Sequence, residues 1–511
     1  RRGMLLNSGQ VLTERAKIAP RVEAVIDTAS GARCDFRQLN DRANQTANTL
    51  LAMEFRPGER IACLLPNQSQ YIESFYACAK AGFVFVALNW RLSVPELSYQ
   101  LMDAGAVAVL YAAEQKALVE PLRQQFPNIR WLAADEGDYA AAVAEAATAE
   151  PPIGATGADP LYMMYTSGTT GRPKGALMSH AANIAWLASM LATSDLRHGE
   201  RNIIVAPLFH IGGLGLAMSA VYRGMTTVLL KQFDPGVMWD LVDAEKITGF
   251  FAVPAMLALM YQHPKRTTTA RSALRWVICG AAPVPVTLIE AYLAMGVEIL
   301  QVYGLTETHG GICLMSPEHA RTKVGSTGMP YFGIDVRVVD KAGTPVPPGI
   351  PGEVVTRGPH LISGYWNRPD ATQEAIREGW FHTGDIAEVD AEGFIYIKDR
   401  SKDMVITGGE NVYPAEVEDV LGGHAGVREV GVIGQPSPKW GESVCAVIVR
   451  GDDWKGDDEL LVQELRTLVQ SRLARFKQPK TYVFMNALPR NPSGKILKRM
   501  LREQFPGPAP E

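Results

Sequence analysis

Cysteine is scarce and scattered in this 511-residue chain: Cys34, Cys63, Cys78, Cys279, Cys313 and Cys445 stand far apart, with no spacing that suits a zinc site. That pattern excludes a disulfide-stapled scaffold and points to reduced, mostly buried thiols in a cytoplasmic protein. An excess of one charge is also lacking, since 50 Lys and Arg face 54 Asp and Glu for a formal net charge of -4. The chain as a whole therefore has no electrostatic reason to seek nucleic acid. Long apolar runs are absent too. The stretch "GFFAVPAMLALM" from Gly249 is broken by Pro254 and too short to cross a bilayer, so no transmembrane segment is expected. Peripheral membrane contact stays open, as does a homodimer. No stretch near the start joins a basic segment, an apolar core and a small-residue cleavage site, so no secretory leader is expected either.

Hydrophobic residues at 47% and charged residues at 20% describe a globular protein, and the length asks for more than one domain. From Arg60, "RIACLLPNQSQYIESFYACAKAGFVFVALNW" reads as strand, helix over about Ser69 to Lys80, and a second strand after Gly82. The same alternation recurs at "RNIIVAPLF", "TTVLL", "ITGFFAV", "LRWVICGAA" and "VEILQVYGL". An α/β fold follows, with mainly parallel sheets covered by helices. Beyond Gly325 the pattern changes to period two with Gly, Pro and Asp turns, which predicts a small antiparallel, β-barrel-like subdomain. After the charged run "KDRSKD" from Lys398, helix and strand alternate again as a small α+β unit. The expected division is a domain over 1–400 and a mobile one over 401–511.

One stretch asks for a chemical explanation. "LYMMYTSGTTGRPKGALMSH", Leu161 to His180, follows an apolar run with hydroxyls, glycines and Lys174. Such a loop can wrap an anion with backbone amides and hydroxyls, or it can be a solvated turn. It is not a P-loop, because Lys174 is followed by Gly175 rather than Ser or Thr. "GGLG" at Gly212 fails the dinucleotide spacing and reads as packing glycines.

Three further segments recur in order with that loop: "QVYGLTET" (Gln301 to Thr308), "GWFHTGD" (Gly379 to Asp385) and "NPSGKILK" (Asn491 to Lys498). With them the chain resembles the AMP-forming acyl- and aryl-CoA synthetases of the adenylate-forming superfamily over essentially its whole length. The resemblance implies an ATP-dependent acid–CoA ligase that makes an acyl-AMP and pyrophosphate, then an acyl-CoA thioester, with Mg²⁺ and coenzyme A. Attack of a carboxylate on the α-phosphate brings two anions together, so cations and donors must offset the repulsion.

By resemblance, the loop of Thr166, Ser167, Gly168, Thr169, Thr170, Gly171 and Lys174 holds the departing phosphates. Thr306 donates to the α-phosphate, and Glu307 holds Mg²⁺ as a hard oxygen ligand. Gly280, Ala281, Ala282, Tyr303 and Gly304 line the adenine or the tunnel, while Asp385 and Arg400 take the ribose. Lys495 is the catalytic lysine bridging carboxylate and phosphate; outside its motif it would read as a surface lysine. Lys402 sits at the hinge position. Gly408 and Gly409 either let the pantetheine arm of CoA pass or form a turn.

"APLFHIGGLG" places His210 after Phe209, where amino-acid-activating relatives carry an aspartate. A desolvated ammonium would lack its counter-charge there, so the acid is apolar. His210 is expected to gate the carboxylate, or simply to pack in the core. The expected substrate is a medium- to long-chain fatty acid; the alternatives are a hydroxycinnamate-like aryl acid, or a carrier protein as acceptor. The basic cluster Arg472, Arg475, Lys477 and Lys480 reads as a solvated face.

Overall fold

The computed structural model describes residues 7–167, 172–280, 284–400, 403–489 and 496–508. Two compact units divide the chain: Arg1–Trp90, Leu101–Tyr165 and Gly175–Asp399 form the first, and Arg91–Gln100, Thr166–Lys174 and Arg400–Glu511 the second.

The strongest apolar runs of the first unit build a nine-stranded sheet. Its order is Met329–Pro330, Gly310–Leu314, Glu298–Leu305, Trp276–Cys279, Gly249–Ala252, Arg201–Ile204, Thr226–Leu229, Glu23–Asp27, Arg33–Asp35. The central strands pair in parallel and the margins antiparallel. Side chains alternate across this sheet. Ile203, Val228, Phe250, Val277 and Ile299 enter one core cluster. Their neighbours Ile204, Leu229, Ile278 and Leu300 enter the other, which also holds residues of the seven-stranded sheet. Both faces are thus buried, which is why these strands read as unbroken apolar runs rather than as alternating ones.

The seven-stranded sheet has the order Gly364–Tyr365, Pro173–Ser179, Pro160–Ser167, Val84–Ala87, Arg60–Leu64, Ala106–Tyr111, Arg130–Ala133. The helix expected over Ser69 to Lys80 spans Ser69–Ala81 and stops at Gly82, whose φ of 82° is left-handed. A Cβ at Gly82 would lie 2.4 Å from the Gly154 carbonyl carbon, so glycine is required there by both conformation and space. The helix Phe36–Ala52 starts with Asp35 and Gln38 satisfying each other's backbone amides as a capping box.

The period-two segment after Gly325 forms a five-stranded sheet, Asp335–Val339, Gly352–Arg357, Trp380–Val389 and Ile376–Arg377 in antiparallel order, with Ile395–Arg400 also paired to Trp380–Val389. Asp385 lies in its longest strand.

In the second unit, a sheet of order Glu410–Val412, Val405–Thr407, Gly441–Arg450, Val427–Ser437 carries Thr481–Phe484 parallel to Gly441–Arg450. Val444, Ala446 and Ile448 face one cluster with Leu461 and Leu465 of the helix Asp458–Arg472. Cys445, Val447 and Val449 face the other with Leu488 and Leu501. The basic cluster is not uniformly solvated as expected. Lys477 is buried, with its Nζ 2.7 Å from Glu96 and 3.0 Å from Glu416, two carboxylates that compensate its charge and keep its pKa raised despite burial.

Candidate active site

In the first unit the strand Glu298–Leu305 runs from the core into a short turn, and that change of conformation places the candidate nucleotide residues. Its register with Gly310–Leu314 shifts between Tyr303 and Gly304. At Gly304 a Cβ would lie 1.8 Å from the Gly310 carbonyl oxygen, so only glycine permits the crossing. The Tyr303 hydroxyl, aimed by this strand, donates to Asp385 Oδ2 at 2.7 Å. Burial, together with the neighbouring carboxylate, raises the phenol's pKa well above its usual value, so Tyr303 stays a donor. The Asp385 amide is in turn fixed on Thr383 Oγ1 at 3.0 Å. The sequence placed Tyr303 and Asp385 on different parts of a nucleotide; their direct bond is a feature that it did not reveal.

Thr306–Thr308 form a single 3₁₀ turn after this strand. Thr308 Oγ1 accepts from the Leu305 amide at 2.9 Å and donates to the Gly310 carbonyl at 2.7 Å, closing the turn on itself. Glu307 is buried, at 4% exposure, and its Oε1 accepts from the Tyr365 hydroxyl at 2.8 Å. Tyr365, in "GYWNRPDAT", is not among the residues expected at this site from the sequence. His309 ends the turn in the left-handed region, with φ of 59°, and its Nδ1 lies 2.5 Å from the His360 carbonyl. Burial pushes His309 down to about 3 and His360 to about 4, so both imidazoles are neutral near pH 7.

Aromatic rings stand beside His210 and the glycines that follow it. His210 is half-buried at the start of the helix Ile211–Arg223, with its ring centroid 4.8 Å from that of Phe209. A Cβ on Gly212 would come within 3.2 Å of the Phe251 ring, and one on Gly215 within 3.0 Å of Trp186. A Cβ on Gly310 would also come within 3.2 Å of Trp186, and one on Gly280 would lie 2.6 Å from Val302. Trp186 is held in place by its Nε1 donating to the Gly311 carbonyl at 2.8 Å. Gly212 and Gly215, expected as packing glycines, thus seat the chain's own Phe251 and Trp186. Gly213 is different: a Cβ there would sit 2.3 Å from the Pro207 carbonyl oxygen, so it serves helix packing.

In the second unit, Thr166 is buried near the end of the strand Pro160–Ser167, and Lys174 is half-buried where Pro173–Ser179 begins. Gly408 and Gly409, with φ of 58° and 82°, make the two-residue turn between Val405–Thr407 and Glu410–Val412. The turn reading of these glycines therefore holds, whatever else they do. Gly168, Thr169, Thr170, Gly171, Ala281, Ala282, Lys402 and Lys495 lie outside the described residues, as do the side chains of Ser167 and Arg400.

Comparison with known proteins decides the family. The model for AMP-binding enzymes matches residues 12–366, and that for the AMP-binding enzyme C-terminal domain matches residues 416–495. The chain belongs to the AMP-binding enzyme family. It is 42% identical to a feruloyl-CoA synthase of Amycolatopsis sp, over 96% of this chain and 97% of that one. It is 40% identical to the long-chain-fatty-acid–CoA ligase FadD13 of Mycobacterium tuberculosis, over 99% and 100%. Among solved structures, o-succinylbenzoate CoA synthetase of Bacillus subtilis aligns with a TM-score of 0.87 at 32% identity, covering 96% of this chain and 98% of that one.

As an AMP-binding enzyme of the acyl-CoA ligase type, the protein uses ATP, CoA and Mg²⁺ to form an acyl-adenylate and then a thioester. The residues fit the ion. Among the described residues no group of three or more His, Cys, Asp or Glu could cage a metal. Glu307, a buried carboxylate, is the kind of donor that suits Mg²⁺, which takes one or two protein oxygens and completes its shell with water and substrate phosphates. No helix among those residues is long and apolar enough to cross a membrane.

Proposed function

We propose that this acid–CoA ligase activates a flat, apolar aryl acid of the hydroxycinnamate type. The observation that carries this reading is that the rings of Phe251 and of the buried Trp186 fill the space beside Gly212, Gly215 and Gly310, which shortens the room that a long alkyl chain would need. The feruloyl-CoA synthase relative supports it. The 40% identical long-chain-fatty-acid ligase favours a fatty acid as the second reading.

The roles proposed for the site follow from charge. Glu307 holds Mg²⁺, which neutralises phosphate charge while it is bound. Thr306 donates to the α-phosphate, and the Thr166 to Lys174 loop receives pyrophosphate. Asp385, with Tyr303 fixing one of its oxygens, takes the ribose hydroxyls alongside Arg400, and Gly280 to Ala282 leave room for adenine. Lys495 offsets the repulsion between carboxylate and phosphate. His210 stands at the carboxylate end of the acid. Lys402 connects the two units as the hinge, and Gly408 and Gly409 let the pantetheine arm approach the backbone.

The test is thioester and AMP release with ATP, Mg²⁺ and CoA across cinnamates, benzoates and fatty acids of increasing length. Ferulate and coumarate are expected to exceed dodecanoate in kcat/KM by at least about tenfold, the equivalent of about 1.4 kcal/mol. Higher values for long-chain acids would establish the second reading, and pyrophosphate release without thioester would point to a carrier protein.

A further inference from the structure

Outside the residues of the proposed active site, the first unit carries a cleft of about 610 Å³ between the helices Gln10–Ile18, His180–Thr193 and Ile211–Arg223. Its polar lining consists of the guanidiniums of Arg15 and Arg223 and the imidazole of His198. Its other wall is apolar, formed by Ala188, Leu191 and Tyr222.

The nearby carboxylates are engaged elsewhere. Glu14 holds Lys17 at 2.7 Å. Asp195 holds Arg197 and Arg275, and Glu200 holds Arg275. The backbone supplies only neutral acceptors. Arg15 Nε donates to the Val221 carbonyl at 3.0 Å and its Nη2 to that of Tyr222, while Arg223 Nε donates to Leu196 at 2.7 Å. These bonds aim the guanidiniums without cancelling their charge. Arg15 has its pKa lowered by burial and then by Arg223, the signature of two cations held together.

The left-handed Gly224, with φ of 83°, lets His198 and Arg15 pack close to the backbone, and His198 Nδ1 lies 3.3 Å from the Arg223 carbonyl. A Cβ there would fall 2.5 Å from His198 Nδ1 and 3.2 Å from Arg15 Nη1, so a side chain at this position would displace both groups. Helix packing explains the carbonyl bonds, but not why two arginines and a histidine meet beside an apolar wall.

We infer that this cleft is a phosphate-binding site, taking a phosphoryl group against Arg15, His198 and Arg223 while the apolar part of its bearer lies along Ala188, Leu191 and Tyr222. Guanidinium forks match phosphate oxygens in geometry as well as charge. The bearer is either a soluble phosphate ester or an anionic lipid headgroup, which share this chemistry.

The first experiment titrates inorganic phosphate calorimetrically into the full chain and into the double variant Arg223→Gln, His198→Gln. The variant is expected to bind phosphate about tenfold more weakly at this site, as loss of a charge-assisted contact implies, with the adenylation rate unchanged. Co-sedimentation with phosphatidylglycerol vesicles, against phosphatidylcholine vesicles, distinguishes the sources. Binding lost in the variant identifies a lipid headgroup, whereas a phosphate effect without vesicle binding identifies a soluble ester. Independently of any variant, the His198 imidazole resonances of the full chain, saturated with AMP and pyrophosphate, should shift as phosphate is added. Identical isotherms for the two proteins, or a His198 signal unmoved by phosphate, would overturn the assignment.

Discussion

Glu307, the carboxylate proposed to hold Mg²⁺, depends on its neighbours. A buried anion must be matched by donors or cations, and Tyr365 supplies one donor at 2.8 Å to one of its oxygens. In the proposed role of Glu307, that bond would orient the carboxylate for Mg²⁺, as a supporting residue does around a ligand. Replacing Tyr365 by Phe keeps the ring and removes only the donor. The expected result is a several-fold rise in the Mg²⁺ concentration that half-saturates adenylation, with thioester formation from supplied acyl-adenylate unchanged. The stability loss should be about 1–2 kcal/mol. A Mg²⁺ titration of pyrophosphate release checks it, and an unaltered curve would separate Tyr365 from the metal. Tyr303 and Asp385 make the parallel case for the proposed ribose contact, with Thr383 as the anchor behind Asp385.

At the scale of elements, the hairpin turn at Gly408 and Gly409 joins two demands in one place. Positive φ at both positions requires glycine or a residue tolerant of the left-handed region, and the Gly408 amide also donates to the Trp440 carbonyl at 2.8 Å. Gly409→Leu therefore strains the turn, by about 1–2 kcal/mol, as well as filling any path for CoA. Gly409→Asn separates the two effects, because Asn accepts the left-handed conformation more readily while still adding a side chain. If the glycine is kept for CoA, Gly409→Asn should melt within a few degrees of the unmodified protein yet show a raised KM for CoA. An unchanged KM would leave the turn as its whole purpose.

For the whole molecule, three buried histidines couple stability to pH. Burial pushes His180 down to about 4, His309 to about 3 and His360 to about 4, all below the unfolded value near 6.5. Folding holds them neutral, so their environment exacts no proton penalty above 6.5. As pH falls below 6.5 the unfolded chain takes up protons that the native one refuses, and stability is lost progressively towards pH 4. At pH 5 the loss is about 2 kcal/mol for each histidine. Unfolding midpoints in denaturant should therefore drop between pH 7.5 and 5. His360→Gln, which retains a polar partner for Thr356, should flatten the dependence. A midpoint independent of pH over that range would refute the coupling.

Much of this protein is readable from residue order alone, for physical reasons that are local. Continuous apolar runs announce strands buried on both faces, as in Trp276–Cys279; period-two segments announce an antiparallel sheet, as in Asp335–Val339. Short motifs with glycine and hydroxyls mark the family because their backbone geometry and donors are encoded within a few residues. Contacts between distant segments are not encoded that way. The bond from Tyr365 to Glu307, that from Tyr303 to Asp385, the seating of Trp186 and Phe251 against separate glycines, and the burial of Lys477 between Glu96 and Glu416 each join residues far apart in the chain. Only tertiary packing decides which lone donor meets which lone acceptor, because the pairing depends on where whole sheets and helices place their ends.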